Sequence, residues 1–191
     1  MSAKPFNVGP LGLAAFAMTT TVLSCINAGI IPKDAVGVVI PLAFVYGGLI
    51  QIITGWWEGR LGSTFGFVAF SSYGAFWLYF GALNIFATLK LITVNAIAAG
   101  IVLLLWGFLT FYLWVGSLRL NKVTMLIFLF LTITFIVLGI GDIIGSVAVG
   151  QLGGYLGLVT AAFAWYGSLA TVINDTYGEK KVPVGEPFVK K

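Results

Sequence analysis

The sequence of 191 residues contains no histidine and a single cysteine, Cys25. Without imidazole there is no histidine general base, no histidine-held zinc or haem, and no Ser-His-Asp triad. No other nucleophile–base pair or metal-ligand cluster is visible. The chain is therefore not read as an enzyme, and no cofactor or metal is expected. One cysteine closes no intramolecular disulfide, and Cys25 lies in an apolar run as a small packing residue. Charge is equally scarce, at 8% of residues, where a soluble domain carries about 25%. The basic residues stand singly or in the tail, so the net charge of +4 does not describe a nucleic-acid surface.

What the chain has in abundance is apolar sequence. Hydrophobic residues make up 60% and the mean hydropathy is +1.07, so the solvent for most of the surface is lipid. A helix crosses the hydrocarbon core with about twenty mostly apolar residues. Six such runs follow one another: 11–29, 36–57, 65–86, 94–118, 125–147 and 151–173. They predict an all-α integral membrane protein, one membrane domain over residues 1–191 with a polar tail at 174–191. The breaks carry most of the charges, except 148–150, which is short and uncharged. The first run is read as a true span because its lead-in is nearly uncharged and no clear cleavage site follows.

Lys and Arg counts on alternate sides set the orientation. Lys4, Arg60, Arg119, Lys122, Lys180, Lys181, Lys190 and Lys191 fall on one side, and Lys33 and Lys90 on the other. Both termini are expected in the cytoplasm, with the protein multi-pass in the cell membrane. Trp56, Trp57 and Trp114 suit the headgroup layer as anchors.

The 25 glycines allow close helix approach, including Gly-x-x-x-Gly at Gly55/Gly59, Gly62/Gly66, Gly141/Gly145 and Gly153/Gly157. A short echo, Gly12-Leu-Ala-Ala-Phe16 and Gly66-Phe-Val-Ala-Phe70, is compatible with a repeated helix pair or with chance.

Polar residues in a span pair with another helix or line a water-filled path. Phe16, Tyr73 and Leu131 fall at similar depth in the first, third and fifth spans. Thr19–Thr21, Ser71, Ser72, Thr132, Thr134 and Gln51 share that layer. Bulky groups flanked by hydroxyls and one amide suit a narrow selective pore, and plain packing is the alternative. Asp142 lies within the fifth run and is expected to face the bundle interior as a proton carrier or as a tightly packed structural acid. Glu58 is read as half of an interfacial ion pair with Arg60. Asn7-Val-Gly-Pro10 is an ordinary helix start or an anion-attracting one.

Several blocks together resemble the acetate uptake transporter family, which includes succinate–acetate permeases and yeast acetate permeases. They are Asn7 with Pro10-Leu-Gly-Leu13, Phe16-Ala-Met-Thr-Thr20, Tyr46-Gly-Gly-Leu-Ile-Gln51, Thr64 to Trp77, and Asn174 to Glu186. Val8 and Asp142 depart from the family pattern, which has proline and an amide there. The resemblance implies six helices around a central pore in each protomer, a homo-oligomer (a hexamer), and transport of acetate or related monocarboxylates. It places the hydrophobic constriction at Phe16, Tyr73 and Leu131, with Asn7, Thr20, Gln51 and Thr132 as polar contacts for the substrate. A neutral-solute channel and a non-transporting sensor or scaffold are the competing readings.

Overall fold

The structure is a computed structural model in which residues 6–190 are described. Lys4 and Lys191, counted above for orientation, lie outside the described residues. Six helical stretches are long and apolar enough to cross a membrane, and no strand occurs among the described residues. The first crossing is α1 (Gly9–Asn27). The second, Lys33–Arg60, is composite. It comprises a 3-10 turn, α2 (Val36–Leu42), a widened π-helical stretch Ala43–Ile50, and α3 (Gln51–Arg60). The remaining crossings are α4 (Thr64–Thr88), α5 (Ala96–Ser117), α6 (Lys122–Ile144) and α7 (Val147–Tyr177).

The irregular second crossing has a local cause. Pro41 sits inside the helix, where it offers no N–H and its ring crowds the carbonyl one turn back. Local π adjustment keeps backbone groups paired in a lipid environment, and the widened stretch begins two residues later. Regular helix resumes at Gln51, whose side chain is fully buried.

Polar caps start the later helices. Ser63, Asn95, Asn121 and Ser146 each accept a hydrogen bond from a backbone N–H in the first turn of α4, α5, α6 and α7. The last turn between spans falls at Gly145–Ser146, not at 148–150 as the sequence suggested. Gly145 takes the left-handed conformation at φ 65° and ends α6, which glycine does at little steric cost. Residues 148–150 form the first turn of α7.

Each crossing packs on its neighbour in sequence, and α7 closes the ring on α1. Backbones come closest where glycines face each other. A Cβ on Gly100 would lie 2.6 Å from the Gly139 carbonyl oxygen across the α5–α6 contact. The α4–α5 seam is the most open, and aromatic rings fill it: Trp106 stands 5.3 Å from Phe76 and 6.4 Å from Tyr73 between centroids. Outside, Leu105 and Phe108, in the middle of α5, are 63% and 67% exposed. An apolar patch of this kind at mid-span suits lipid, not water. The echoed phenylalanines are not equivalent: Phe16 is in the core, whereas the Phe70 ring lies over Gly12.

At about 1.5 Å per residue the 31 residues of α7 reach about 46 Å, beyond the ~30 Å hydrocarbon core. Its far end holds the tail as a strap. Asn174 makes two 2.8 Å bonds with the Val182 backbone, and the Tyr166 hydroxyl donates to the Pro183 carbonyl at 2.7 Å. The Val123 and Val189 N–H groups then donate to Val184 and Leu118 carbonyls, carrying the strap across the α5–α6 turn. Asn174→Ala removes two bonds worth about 0.5–1.5 kcal/mol each. Limited proteolysis is expected to cut the 178–190 strap at least several times faster in this variant. Unchanged cleavage would mean the clamp does not hold the strap.

Candidate functional site

Helices α1, α4 and α6 begin at the same end of the bundle and surround a cavity of about 350 Å³ there. Its rim carries three helix-start side chains: Asn7, Ser63 and Asn121. Asn7 Oδ1 accepts from the Gly9 N–H at 3.0 Å and Asn121 Oδ1 from the Thr124 N–H at 2.9 Å. Each asparagine thus spends its acceptor on the helix, and its NH2 group is not needed by the cap. Ser63 Oγ likewise accepts from the Gly66 N–H at 3.0 Å. Three helix N-termini turn their positive dipole ends, and their caps' spare donors, toward this vestibule.

Deeper in, Gln51 lines the same cavity at 1% exposure, and neither its Oε1 nor its Nε2 has a hydrogen-bond partner. A buried amide left unpaired costs about 1–3 kcal/mol, so its position calls for a polar guest or water. Phe16, Tyr73 and Leu131 form the cavity's floor, at 5%, 3% and 4% exposure. The Phe16 and Tyr73 rings lie 5.8 Å apart. Tyr73 is held in place: its hydroxyl donates to Thr110 Oγ1 at 3.0 Å, and Thr110 donates to the Trp106 carbonyl at 2.7 Å. Tyr73→Phe loses one hydrogen bond while Thr110 keeps its own, so a loss of about 1 kcal/mol is expected. Thermal unfolding in detergent checks it, and no change in midpoint would mean the bond contributes nothing.

Beyond the floor, a second cavity of about 200 Å³ is lined by Leu23, Phe76, Phe135 and Leu138. The two cavities use single stripes at steps of three, four or seven along each helix. The stripes run Phe16-Leu23-Asn27 on α1, Tyr73-Phe76-Phe80-Leu83 on α4, and Leu131-Phe135-Leu138-Asp142 on α6. Phe76 stands 5.3 Å from Phe135 between centroids, about one helical turn beyond Tyr73 and Leu131. No residue of α7 lines either cavity.

Asn27 and Asp142 line both this cavity and a mouth of about 340 Å³ that also holds Lys33 and Ser146. Asp142 is thus at the far mouth and exposed. It was expected deep in its span, but α6 stops two residues later. Thr20 and Thr132 are buried but line neither cavity. The Thr20 hydroxyl is unpartnered, and Thr132 donates to the Phe128 carbonyl at 2.7 Å. Thr19 and Thr134 donate to carbonyls of their own helices, and Thr21 receives the Trp165 indole N–H.

Glu58 overturns its sequence reading. Among the described residues the ion pair within 4.0 Å is Lys181–Glu179, and Glu58 is not paired with Arg60. Its half-buried side chain turns into the vestibule instead. Sequence reasoning also passed over Ser63, Asn121, Thr110, Phe76 and Phe135. The two caps were signalled by a polar residue just before an apolar run, and the two phenylalanines by helical steps from the ring.

The helices define a multi-pass membrane protein with two separate cavities and buried aromatic side chains between them. The chain belongs to the GPR1/FUN34/yaaH family, whose pattern it matches over residues 1–185. It is 38% identical over 186 residues to the succinate-acetate/proton symporter SatP of Escherichia coli (strain K12), covering 97% of this chain and 98% of that one. It is 39% identical over 203 residues to acetate permease A of Emericella nidulans, covering 96% of this chain and 67% of that protein. The solved structure of the bacterial acetate channel SatP superimposes with a TM-score of 0.92 at 38% identity, covering 95% of this chain and 100% of that one.

Proposed function

We propose that this chain carries acetate and related short monocarboxylates across the cell membrane through its central path. The observation that carries the reading is the apposition of a donor-lined vestibule, ending in the unpartnered Gln51 amide, on the apolar Phe16/Tyr73/Leu131 floor. A carboxylate meets the spare donors of Asn7, Ser63 and Asn121, exchanges part of its hydration for the Gln51 amide, and passes the ring methyl end first. It regains polar contact at Asn27 on the other side. The ring sets the size limit, and its apolar surface penalises a charged head group.

The family membership supports a carrier rather than an enzyme. The excess of Lys and Arg at the ends bearing Arg60, Arg119, Lys180 and Lys181 supports a cytoplasmic vestibule and cytoplasmic termini. The family resemblance supports a homo-oligomer, a hexamer. Asp142 and Lys33 share the far mouth of the path.

A channel for small neutral solutes would use the same architecture, and vesicle swelling separates the two. Proteoliposomes moved into isotonic glycerol are expected to swell no faster than protein-free vesicles, while labelled acetate exchanges faster. Protein-dependent swelling without acetate exchange would replace this reading with the neutral-solute one.

A further inference from the structure

We propose that Glu58 carries the proton that accompanies the substrate: a carboxylate lodges in the vestibule only with a proton that it shares with the Glu58 carboxyl. This rests on the carboxylate reading above. The first observation is placement. A Cβ on Gly66 would fall 2.7 Å from Glu58 Cδ, and one on Gly9 would fall 3.6 Å from Glu58 Oε1. Glu58 therefore lies between the first turns of α4 and α1, in space that those glycines leave open, and it lines the cavity ending at Phe16, Tyr73 and Leu131. The second observation is the company it keeps. The cavity-lining residues of α1, α4 and α6 around it carry no other carboxyl and no Lys or Arg, and Tyr73 on the floor is the remaining titratable group. On its own helix Arg60 is two residues away, exposed, and not in an ion pair with it. The third is the unpartnered Gln51 amide in the same cavity, at 1% exposure, which marks where a polar guest sits.

A bare carboxylate lining an anion's path opposes the anion unless one negative charge is cancelled. The helix N-termini draw the carboxylate substrate in, and Glu58 then admits it with a proton taken from the aqueous phase. Two carboxyl groups that approach closely hold one proton between them, because two like charges at that distance do not both persist. The proton leaves on the substrate oxygen as the acid slips through the ring, and Glu58 is again a carboxylate. One proton and one carboxylate move together, so passage carries no net charge.

Current is the discriminating readout, because leakage of neutral acid through lipid carries none. Full-length protein and Glu58→Gln, reconstituted in parallel, are given an acetate gradient on a solid-supported membrane, with labelled-acetate exchange measured on the same vesicles. Wild type is expected to exchange acetate with no acetate-driven current. Glu58→Gln, with the opposing charge gone and no proton to share, is expected to show an acetate current at least tenfold above the protein-free baseline. A wild-type acetate current, or an exchanging Glu58→Gln without current, overturns the proposal. If Glu58→Gln neither exchanges nor conducts, Glu58→Asp decides. Current-free exchange restored by Asp supports the shared proton, and a silent Asp variant makes Glu58 a structural residue and overturns it. Wild-type protein that exchanges no acetate defeats the carboxylate reading itself, a different failure.

Discussion

Replacing Leu131 by Ala is expected to raise the rate for propionate and butyrate, relative to acetate, about tenfold. Leu131 comes from α6 and is 4% exposed, and it completes the floor with Phe16 from α1 and Tyr73 from α4. The Tyr73 ring is fixed from behind. Tyr73 is bonded to Thr110 and packs near Phe128 at 6.2 Å between centroids. Leu131 is thus the member of the floor whose truncation widens the path without freeing an aromatic ring. One methylene in an apolar site discriminates by roughly 1–3 kcal/mol, and tenfold corresponds to 1.4 kcal/mol, at the low end of that range. Uptake of a series from formate to butyrate, each measured against acetate, checks it. The same series with succinate added tells whether a second carboxylate passes. A Leu131→Ala protein with the wild-type size profile would remove the floor as the filter.

Gly154→Ala is expected to abolish stable folding, whereas Gly150→Ala one turn earlier on α7 is expected to be harmless. A Cβ at Gly154 meets the backbone of the α1 end, with Asn27 C at 2.6 Å and Ala28 Cα at 2.7 Å. Backbone of this kind does not yield as a flexible side chain does, and overpacking costs about 1–3 kcal/mol or more. The same contact closes the ring of crossings between α7 and α1, so the loss is not local. A Cβ at Gly150 meets nothing within 4 Å, and Ala is favoured over Gly in a helix by about 1 kcal/mol. Recovery of monodisperse protein and its thermal midpoint in detergent measure both. Equal behaviour of the two variants would show that the α1–α7 contact tolerates separation.

These effects show what a single sequence displays and what it hides. The six crossings were legible because apolar length and sparse charge are properties of each segment alone. Phe16, Tyr73 and Leu131 could be put at one depth because α1, α4 and α6 start at the same end and rise equally per residue. Their continuation to Phe76, Phe135 and Asp142 follows the same helical steps, yet depth alone does not say which face of a helix turns inward. That is why Thr19, Thr21 and Thr134 looked like pore residues although they pack against their own or neighbouring helices. Glu58 was misread because Arg60 is its neighbour in sequence, and the space that Gly9 and Gly66 leave for its carboxyl exists only after three helices meet. The end of α6 at Gly145 was hidden because the apolar pattern runs on through Ser146 into α7, and only the left-handed glycine breaks it.

The central claim is that a carboxylate crosses by this path, and exchange of labelled acetate tests it most directly. Purified protein in liposomes loaded with unlabelled acetate is held at pH 8 on both sides. A carboxyl with a pKa of about 4 is then neutral in only about one part in ten thousand, which keeps leakage through lipid low. Exchange well above that of protein-free liposomes, and inhibited by excess propionate but not by glycerol, is the predicted result. Exchange no faster than in protein-free liposomes would contradict the account.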